Sequence, residues 1–418
     1  MPAAEIIAAG SELLTADKID TNSLFLTAEL NRLGIEVVRK TVVGDDRARL
    51  ADSVRSAVGR SEILILTGGL GPTEDDVTRD AVAAALGREL VFSEEVCDAI
   101  RARFRSFGRR MAEVNKRQAF VIAGAEVLAN PRGTAPGLWV ETATTVVALL
   151  PGPPRELMPL FAEECIPRLR AKFPSRAIRT RVFRATGIGE GDLDQTIAPV
   201  YTRYSNPATT ILASSGDLQI HLRAQADTEA EADRLLEEVA GQILPLLGDK
   251  VYSRNGDPIE LVVGEMLHKT HATVAVAESL TGGMLGERFT SVPGSSRYFL
   301  GGFIAYSNAM KVDLLGVDPQ LLAHFGAVSQ ETAEAMAAGA RRLTKATYAV
   351  AVTGVAGPDS GVDAAPVGTV YIALADPEKT VAVHRQFLGD RTRIRQFTTQ
   401  MALDVLRRRL ISRAGPNS

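Results

Sequence analysis

The chain has 418 residues, 45% of them apolar and 23% charged, which is too long for one compact core and too apolar for a disordered protein. Lys and Arg number 47 against 50 Asp and Glu, and the net charge of −3 supplies no broad basic surface for nucleic acid or an anionic membrane. Cys97 and Cys165, the only cysteines, lie in apolar helical contexts where inert buried thiols are expected, and two isolated residues exclude a thiolate zinc site. No run approaches membrane-spanning length, and the chain starts almost at once with a strand, so a cytoplasmic setting is the expectation.

Taken in chain order, residues 1–172 alternate strand and helix. Strands are expected at Ile6–Ala9, Glu36–Val43, Ile63–Leu66 and Thr145–Leu150. Helices are expected at Asn22–Leu33, stopped by Gly34, at Arg47–Val58, at Asp75–Leu86 and at Arg155–Leu169 after Pro151-Gly-Pro-Pro154. Such alternation predicts an α/β fold with a doubly wound parallel sheet. Residues 176–252 read as a small α+β module, with strands at Arg179–Ala185, Thr210–Ala213 and Leu218–Ala224 and helices at Glu190–Tyr201 and Thr228–Leu246. Ser253–Pro258 reads as a linker. Residues 258–413 form a third, α/β unit. Its strands are expected at Thr273–Ala277, Gly302–Tyr306, Tyr348–Val352, Val367–Leu374 and Val381–Phe387, and its helices at Ile259–Lys269, Leu280–Phe289, Glu331–Leu343 and Arg391–Arg409.

The pattern T-G-x-x-G-P occurs twice, as Thr67-Gly-Gly-Leu-Gly-Pro72 and Thr353-Gly-Val-Ala-Gly-Pro358, each directly after a short apolar run. A Gly-rich turn at the carboxyl end of a buried parallel strand lets backbone N–H groups approach an anion. Two ordinary Gly-rich turns remain the alternative. Near the second copy, Ser279 follows the strand Val274–Ala277 and faces a helix start in which Gly282 and Gly283 leave N–H groups unobstructed. That serine is either an N-cap or an exposed nucleophile. None of the five histidines stands on a Gly-rich loop at a strand end, so a base is sought in Tyr306 or Lys311. Lys311 lies beside the apolar face of Val312, Leu314 and Leu315, where desolvation would bring a lysine toward a base's range; a solvated helix-start lysine is the alternative.

Ala277-Glu-Ser-Leu-Thr-Gly-Gly283, Pro293-Gly-Ser-Ser296, Tyr306-Ser-Asn308 with Lys311, Gly326-Ala-Val-Ser329, the second T-G-x-x-G-P loop and Pro366-Val-Gly-Thr-Val-Tyr371 together resemble the nicotinamide-nucleotide amidase domain of the CinA family. That resemblance implies deamidation of nicotinamide mononucleotide to nicotinate mononucleotide and ammonia, with Ser279 as nucleophile, Tyr306 and Lys311 activating it, and no cofactor required. Thr281, Gly282 and Gly283 are further candidate substrate contacts. The substrate phosphate is expected near Thr353, Gly354 and Gly357, or near Ser295 and Ser296. Leu280 departs from the cysteine common in relatives, without being expected to react.

At the amino end, Thr73-Glu74-Asp75-Asp76 follows the first loop, and Gly10-Ser-Glu12 and Gly44-Asp45-Asp46 bring more carboxylates to the same sheet edge. Acids there either favour a helix dipole or hold a divalent cation. This set is similar to the molybdopterin-binding fold in the amino-terminal half of CinA proteins, some of which hydrolyse ADP-ribose with a divalent metal. The implied ligand contacts are Gly10, Glu12, Gly68, Gly69, Gly71 and Thr73, with Asp45, Asp75 and Asp76 as candidate metal ligands. Ser11 and Asp20 depart from the usual Thr and Asn. The middle module resembles the family's KH-like domain, but Glu190, Asp192 and Asp194 follow Gly187-Ile-Gly189, so a spacer or homodimer contact is expected and no nucleic-acid partner. The expected whole is a bifunctional pyridine-nucleotide salvage enzyme. Its rivals are a competence or DNA-damage factor acting by binding, and a molybdopterin-binding protein in the amino half.

Overall fold

The computed structural model describes residues 2–106, 108–173, 177–360 and 365–414. The chain forms two compact units, one of Met1–Arg179 with Gln225–Asp233, the other of Thr180–Ala224 with Arg234–Ser418. The start of the middle module at residue 176 lies outside the described residues.

The amino unit is built on β1 (Ala3–Ala9), β2 (Glu36–Val43), β3 (Ile63–Thr67), β4 (Leu90–Phe92), β5 (Phe120–Ile122), β6 (Glu126–Leu128), β7 (Gly137–Glu141) and β8 (Val146–Leu150). Its six-stranded sheet runs β2-β1-β3-β8-β7-β6. The first four strands are parallel, as expected, while β7 and β6 join antiparallel. The sequence reading passed over these two, because β6 is three residues long and has too few positions to show a period. The continuous apolar run of β3 has a direct cause. Ile63 and Ile65 enter the core on one face, and Leu64 and Leu66 enter the core on the other, so no position faces water.

The second unit holds β10 (Ala208–Ser214), β12 (Val251–Ser253) and most of β9 (Ala177–Ala185) and β11 (Asp217–Ala226), in the order β10-β11-β9-β12. It also holds β13 (Val274–Glu278), β14 (Phe299–Ile304), β15 (Tyr348–Gly354), β16 (Thr369–Ala375) and β17 (Thr380–Gln386), in the order β14-β13-β15-β16-β17. β13 lies between β14 and β15 and is parallel to both, and β16 and β17 return antiparallel. Ala349 and Ala351 of β15 pack with Ala333, Met336, Ala337 and Ala340 of the helix Gln330–Thr344, where small side chains allow close approach, while Val350 and Val352 fill the opposite core. The closing helix, Arg391–Ala414, is longer than its pattern indicated. Near its end Arg407 donates to the carbonyl of Asp249, Arg408 pairs with the Asp249 carboxylate, and both arginines bind the buried Asp404. No helix among the described residues is long and apolar enough to cross a membrane.

Candidate active site

The carboxyl edge of β13 and β15 carries the nucleophile candidate. The Ser279 N–H donates to Val352 O (3.0 Å), which extends the parallel ladder one residue and fixes the serine at the strand end. Ser307 then caps the helix Asn308–Leu315 by accepting from the Met310 N–H (3.2 Å). Lys311, one turn in, is only 1% exposed, which discards the solvated alternative. Its Nζ lies 3.4 Å from Ser279 Oγ and 3.4 Å from the carbonyl oxygen of Tyr306. Ser279 is itself 8% exposed and opens on a cavity of about 500 Å³.

Tyr306 contributes differently from expectation. It lies beyond β14, its side chain is 60% exposed, and its hydroxyl accepts from Arg391 Nη2 (3.1 Å). Its carbonyl, not its phenol, meets Lys311. Arg391 also donates to Gly357 O (2.9 Å) and lines the cavity, so one guanidinium joins Tyr306 to the second T-G-x-x-G-P loop. The sequence reading named Arg391 only as a helix start, and nothing local marks it for a loop 34 residues away.

Thr353, Gly354 and Gly357 all line this cavity. The Thr353 hydroxyl is spent on Ala327 O (2.7 Å), so the loop presents backbone. A Cβ on Gly354 would stand 2.6 Å from Thr369 O, and this close return of β16 is what demands glycine. Ser295 and Ser296 are a correction. They precede β14, whose register pairs Phe299 with Val274 and Ile304 with Glu278, so they sit at the amino edge of the sheet, opposite Ser279. Of the two expected phosphate positions, only the Thr353 loop borders the cavity that Ser279 opens on.

The Thr281–Gly283 turn is a second correction. Glu278, 1% exposed, turns its carboxylate under the turn. Oε2 accepts from Thr281 Oγ1 (2.7 Å), Gly283 N (2.9 Å) and Leu285 N (3.0 Å), and Oε1 accepts from Gly286 N (2.8 Å). The Gly282 N–H goes to Ser279 O (3.2 Å). The amides expected to be unobstructed are therefore engaged, and the helix begins at Met284 rather than Leu280.

In the amino unit, Gly10, Glu12, Asp45, Gly68, Gly69, Gly71, Asp75 and Asp76 all line one cavity of about 590 Å³; Thr73 does not. Gly68 and Gly69 have φ of +88° and +64°, and Cβ atoms there would stand 2.2 Å from Ala9 O and from Thr78 Oγ1. The buried Arg79 donates to Leu70 O (2.6 Å) and Gly71 O (2.9 Å), and Thr78 Oγ1 donates to Gly68 O (2.8 Å), so the loop is held by its carbonyls. The acids, however, do not form a ligand set. Asp76 spends Oδ1 on Gly71 N (2.7 Å) and Oδ2 on Thr73 N (2.9 Å) and Thr73 Oγ1 (2.5 Å). Asp45 Oδ2 accepts from Ser11 N (2.8 Å). Among the described residues no three metal-capable side chains cluster, so Asp45, Asp75 and Asp76 do not fit a resident metal centre. Asp75 and Asp76 precede the helix, which starts at Thr78. The sequence reading missed Glu156, which is buried on the cavity wall and accepts from Asn130 Nδ2 (2.9 Å). It also missed Asn22, which donates to Gly152 O (2.7 Å).

Three family models match successive segments of the chain. Residues 5–171 match the family described as a probable molybdopterin binding domain, 180–253 the damage-inducible protein CinA KH domain, and 256–410 the CinA C-terminal domain. A CinA-like protein of Solibacter usitatus is 64% identical over 407 residues, covering 97% of this chain and 98% of that one. Another, of Koribacter versatilis, is 47% identical over 412 residues, covering 98% and 100%. With likeness of this extent across all three segments, the chain belongs to the CinA family.

Proposed function

We propose that the carboxyl segment is a serine amidase acting on nicotinamide mononucleotide. The observation that carries this reading is the buried Lys311 amine 3.4 Å from Ser279 Oγ, with Arg391 on the wall of the cavity they share. A lysine amine withdrawn from water can hold the neutral form that accepts a proton. Lys311 takes the Ser279 proton as Oγ bonds to the carboxamide carbon. The C–N bond then breaks and the proton passes from Lys311 to departing ammonia. Water, deprotonated by the same amine, hydrolyses the ester to the carboxylate and restores the serine. A contact of 3.4 Å is long for proton transfer, as unliganded catalytic pairs often are. Arg391 suits the 5′-phosphate, which needs a cation, while in the adjoining loop the Val355 N–H is already given to Thr369 O (2.9 Å).

The test is ammonia release from nicotinamide mononucleotide. Ser279→Ala is expected to remove it, and turnover at the wild-type rate would sink the assignment.

For the amino unit we infer a site for a phosphorylated nucleotide, ADP-ribose with hydrolysis of its diphosphate. The glycine loop Gly68–Gly71 ahead of the Thr78 helix favours it. Calorimetry with ADP-ribose against a pterin tests it, and preferential pterin binding would replace this reading.

A further inference from the structure

A buried carboxylate next to a nucleophile is normally a liability, because negative charge opposes a developing alkoxide. Glu278 is such a group. It immediately precedes Ser279 in β13, is 1% exposed, and takes no part in the chemistry proposed above. Its surroundings account for it. Four donors meet its two oxygens: Thr281 Oγ1 and the N–H groups of Gly283, Leu285 and Gly286. Three of the donors are amides at the start of the helix Met284–Thr290, whose first residue lacks a capping side chain of its own, since Gly283 precedes it.

Helix N-termini are ordinarily capped by the residue just before them, and here the cap comes from Glu278, six residues before Met284. The five-residue span between them contains Ser279. Glu278 is fixed at both ends: its side chain grips the helix start, and its backbone sits at the end of β13, where its carbonyl accepts from Ala305 N (2.8 Å). Ser279 is similarly pinned by its N–H to Val352 O and by its carbonyl to Gly282 N. The turn therefore closes as a ring through the Glu278 side chain, and Ser279 Oγ is the group it leaves facing Lys311.

We infer that Glu278 is a positioning residue that presents the Ser279 hydroxyl to Lys311 by closing the Ser279–Gly283 turn. It also reserves the amides of this helix for itself, so the N–H groups that steady the reacting carbonyl oxygen come from elsewhere on the cavity wall. This rests on Ser279 being the nucleophile of the proposed amidase.

The test uses the full chain, two variants and two readouts. Glu278→Gln replaces one accepting oxygen with an amide that cannot accept. Thr281→Val removes a single donor and leaves the helix amides bound. One readout is kcat and KM for nicotinamide mononucleotide. The other is the rate of covalent labelling of Ser279 by a fluorophosphonate, which needs the nucleophile but not the substrate. A misplaced reacting atom costs on the order of 100-fold. The expected result is a drop of about that size in kcat and in labelling rate per folded molecule for Glu278→Gln, a smaller drop for Thr281→Val, and KM unchanged in both. Labelling of both variants at the wild-type rate overturns the inference, as does a change confined to KM. If Glu278→Gln does not fold, Thr281→Val decides by the same criteria. Labelling that responds as expected while nicotinamide mononucleotide is not turned over removes the substrate reading and leaves the inference standing. Absence of labelling in the wild type removes both.

Discussion

Replacing Lys311 by methionine separates its chemistry from its packing. Methionine keeps about the reach of the lysine stem and removes the amine, so the buried volume stays filled. Two hydrogen bonds of 3.4 Å disappear, to Ser279 Oγ and Tyr306 O, worth together about 1 to 2 kcal/mol. Against that, a polar nitrogen no longer has to be held out of water, which returns about 1 to 3 kcal/mol. The stability change is thus within about 1 to 2 kcal/mol and of either sign. The catalytic change is larger and has one sign: losing a general base costs about 100- to 10,000-fold in rate, or about 3 to 5.5 kcal/mol. Ammonia release at several concentrations of nicotinamide mononucleotide gives kcat and KM, and urea unfolding gives stability on the same preparation. A kcat within about threefold of wild type would refute the base assignment, since it leaves well under 1 kcal/mol for the amine to supply. Activity lost together with more than about 3 kcal/mol of stability would make Lys311 a structural residue instead.

Arg391→Ala is expected to raise KM about 10- to 100-fold with kcat largely kept, the signature of a lost charged contact to the phosphate; an unchanged KM places the phosphate elsewhere. In the amino unit, Gly68→Ala forces a Cβ to within 2.2 Å of Ala9 O at a φ of +88°, and should cost more than about 2 kcal/mol and weaken ADP-ribose binding. Trp139, the only tryptophan, is buried in this unit, so its fluorescence reports unfolding here. Glu5 is opposed by burial, but bidentate bonds from Arg60 (2.7 Å each) and one from Ser61 (2.8 Å) hold its carboxyl below its ordinary range. A carboxyl lowered in the folded state stabilises above its unfolded value and stops doing so as pH falls through the folded one. Glu5→Gln should therefore cost about 2 kcal/mol at pH 7, with the difference from wild type shrinking in acid below the ordinary value of 4.5; a difference that grows in acid would reverse the sign of the argument.

What could be read from the sequence was what repeats along it. β2 and the helix Ile259–Lys269 match their patterns to the residue, and the short apolar runs of β3 and β15 located both glycine loops. Ser279 and Lys311 were found because each stands at a strand-to-helix junction, a place visible in one dimension. Residues that act across the fold left no such trace. Arg391 is 85 positions from Tyr306, and its partners are a hydroxyl and a carbonyl that any segment could offer. In the sequence, Glu278 stood just after the expected strand Thr273–Ala277, with nothing to mark a role for it. Its hold on Gly283, Leu285 and Gly286 depends on which face it occupies, and strand alternation alone does not reveal that a buried acid has donors beneath it. Ser295 and Ser296 misled for the opposite reason: a Gly-Ser-Ser turn suits an anion, but the direction of β14 assigns it to the far edge of the sheet.

The closing helix is 24 residues long, a rod of about 36 Å. Its first residue is Arg391, in the cavity wall, and near its last turn Arg407 and Arg408 hold Asp249 just ahead of β12. One element thus carries a cation of the cavity wall at one end and an anchorage on the middle module at the other. Cutting the chain in the 254–258 linker would remove Asp249 from both arginines while leaving every cavity residue in place. A shortened chain made that way loses Asp249 and also Tyr252, which packs in the core beneath β13, β15 and the closing helix, so the rod that carries Arg391 loses its brace far from the cavity.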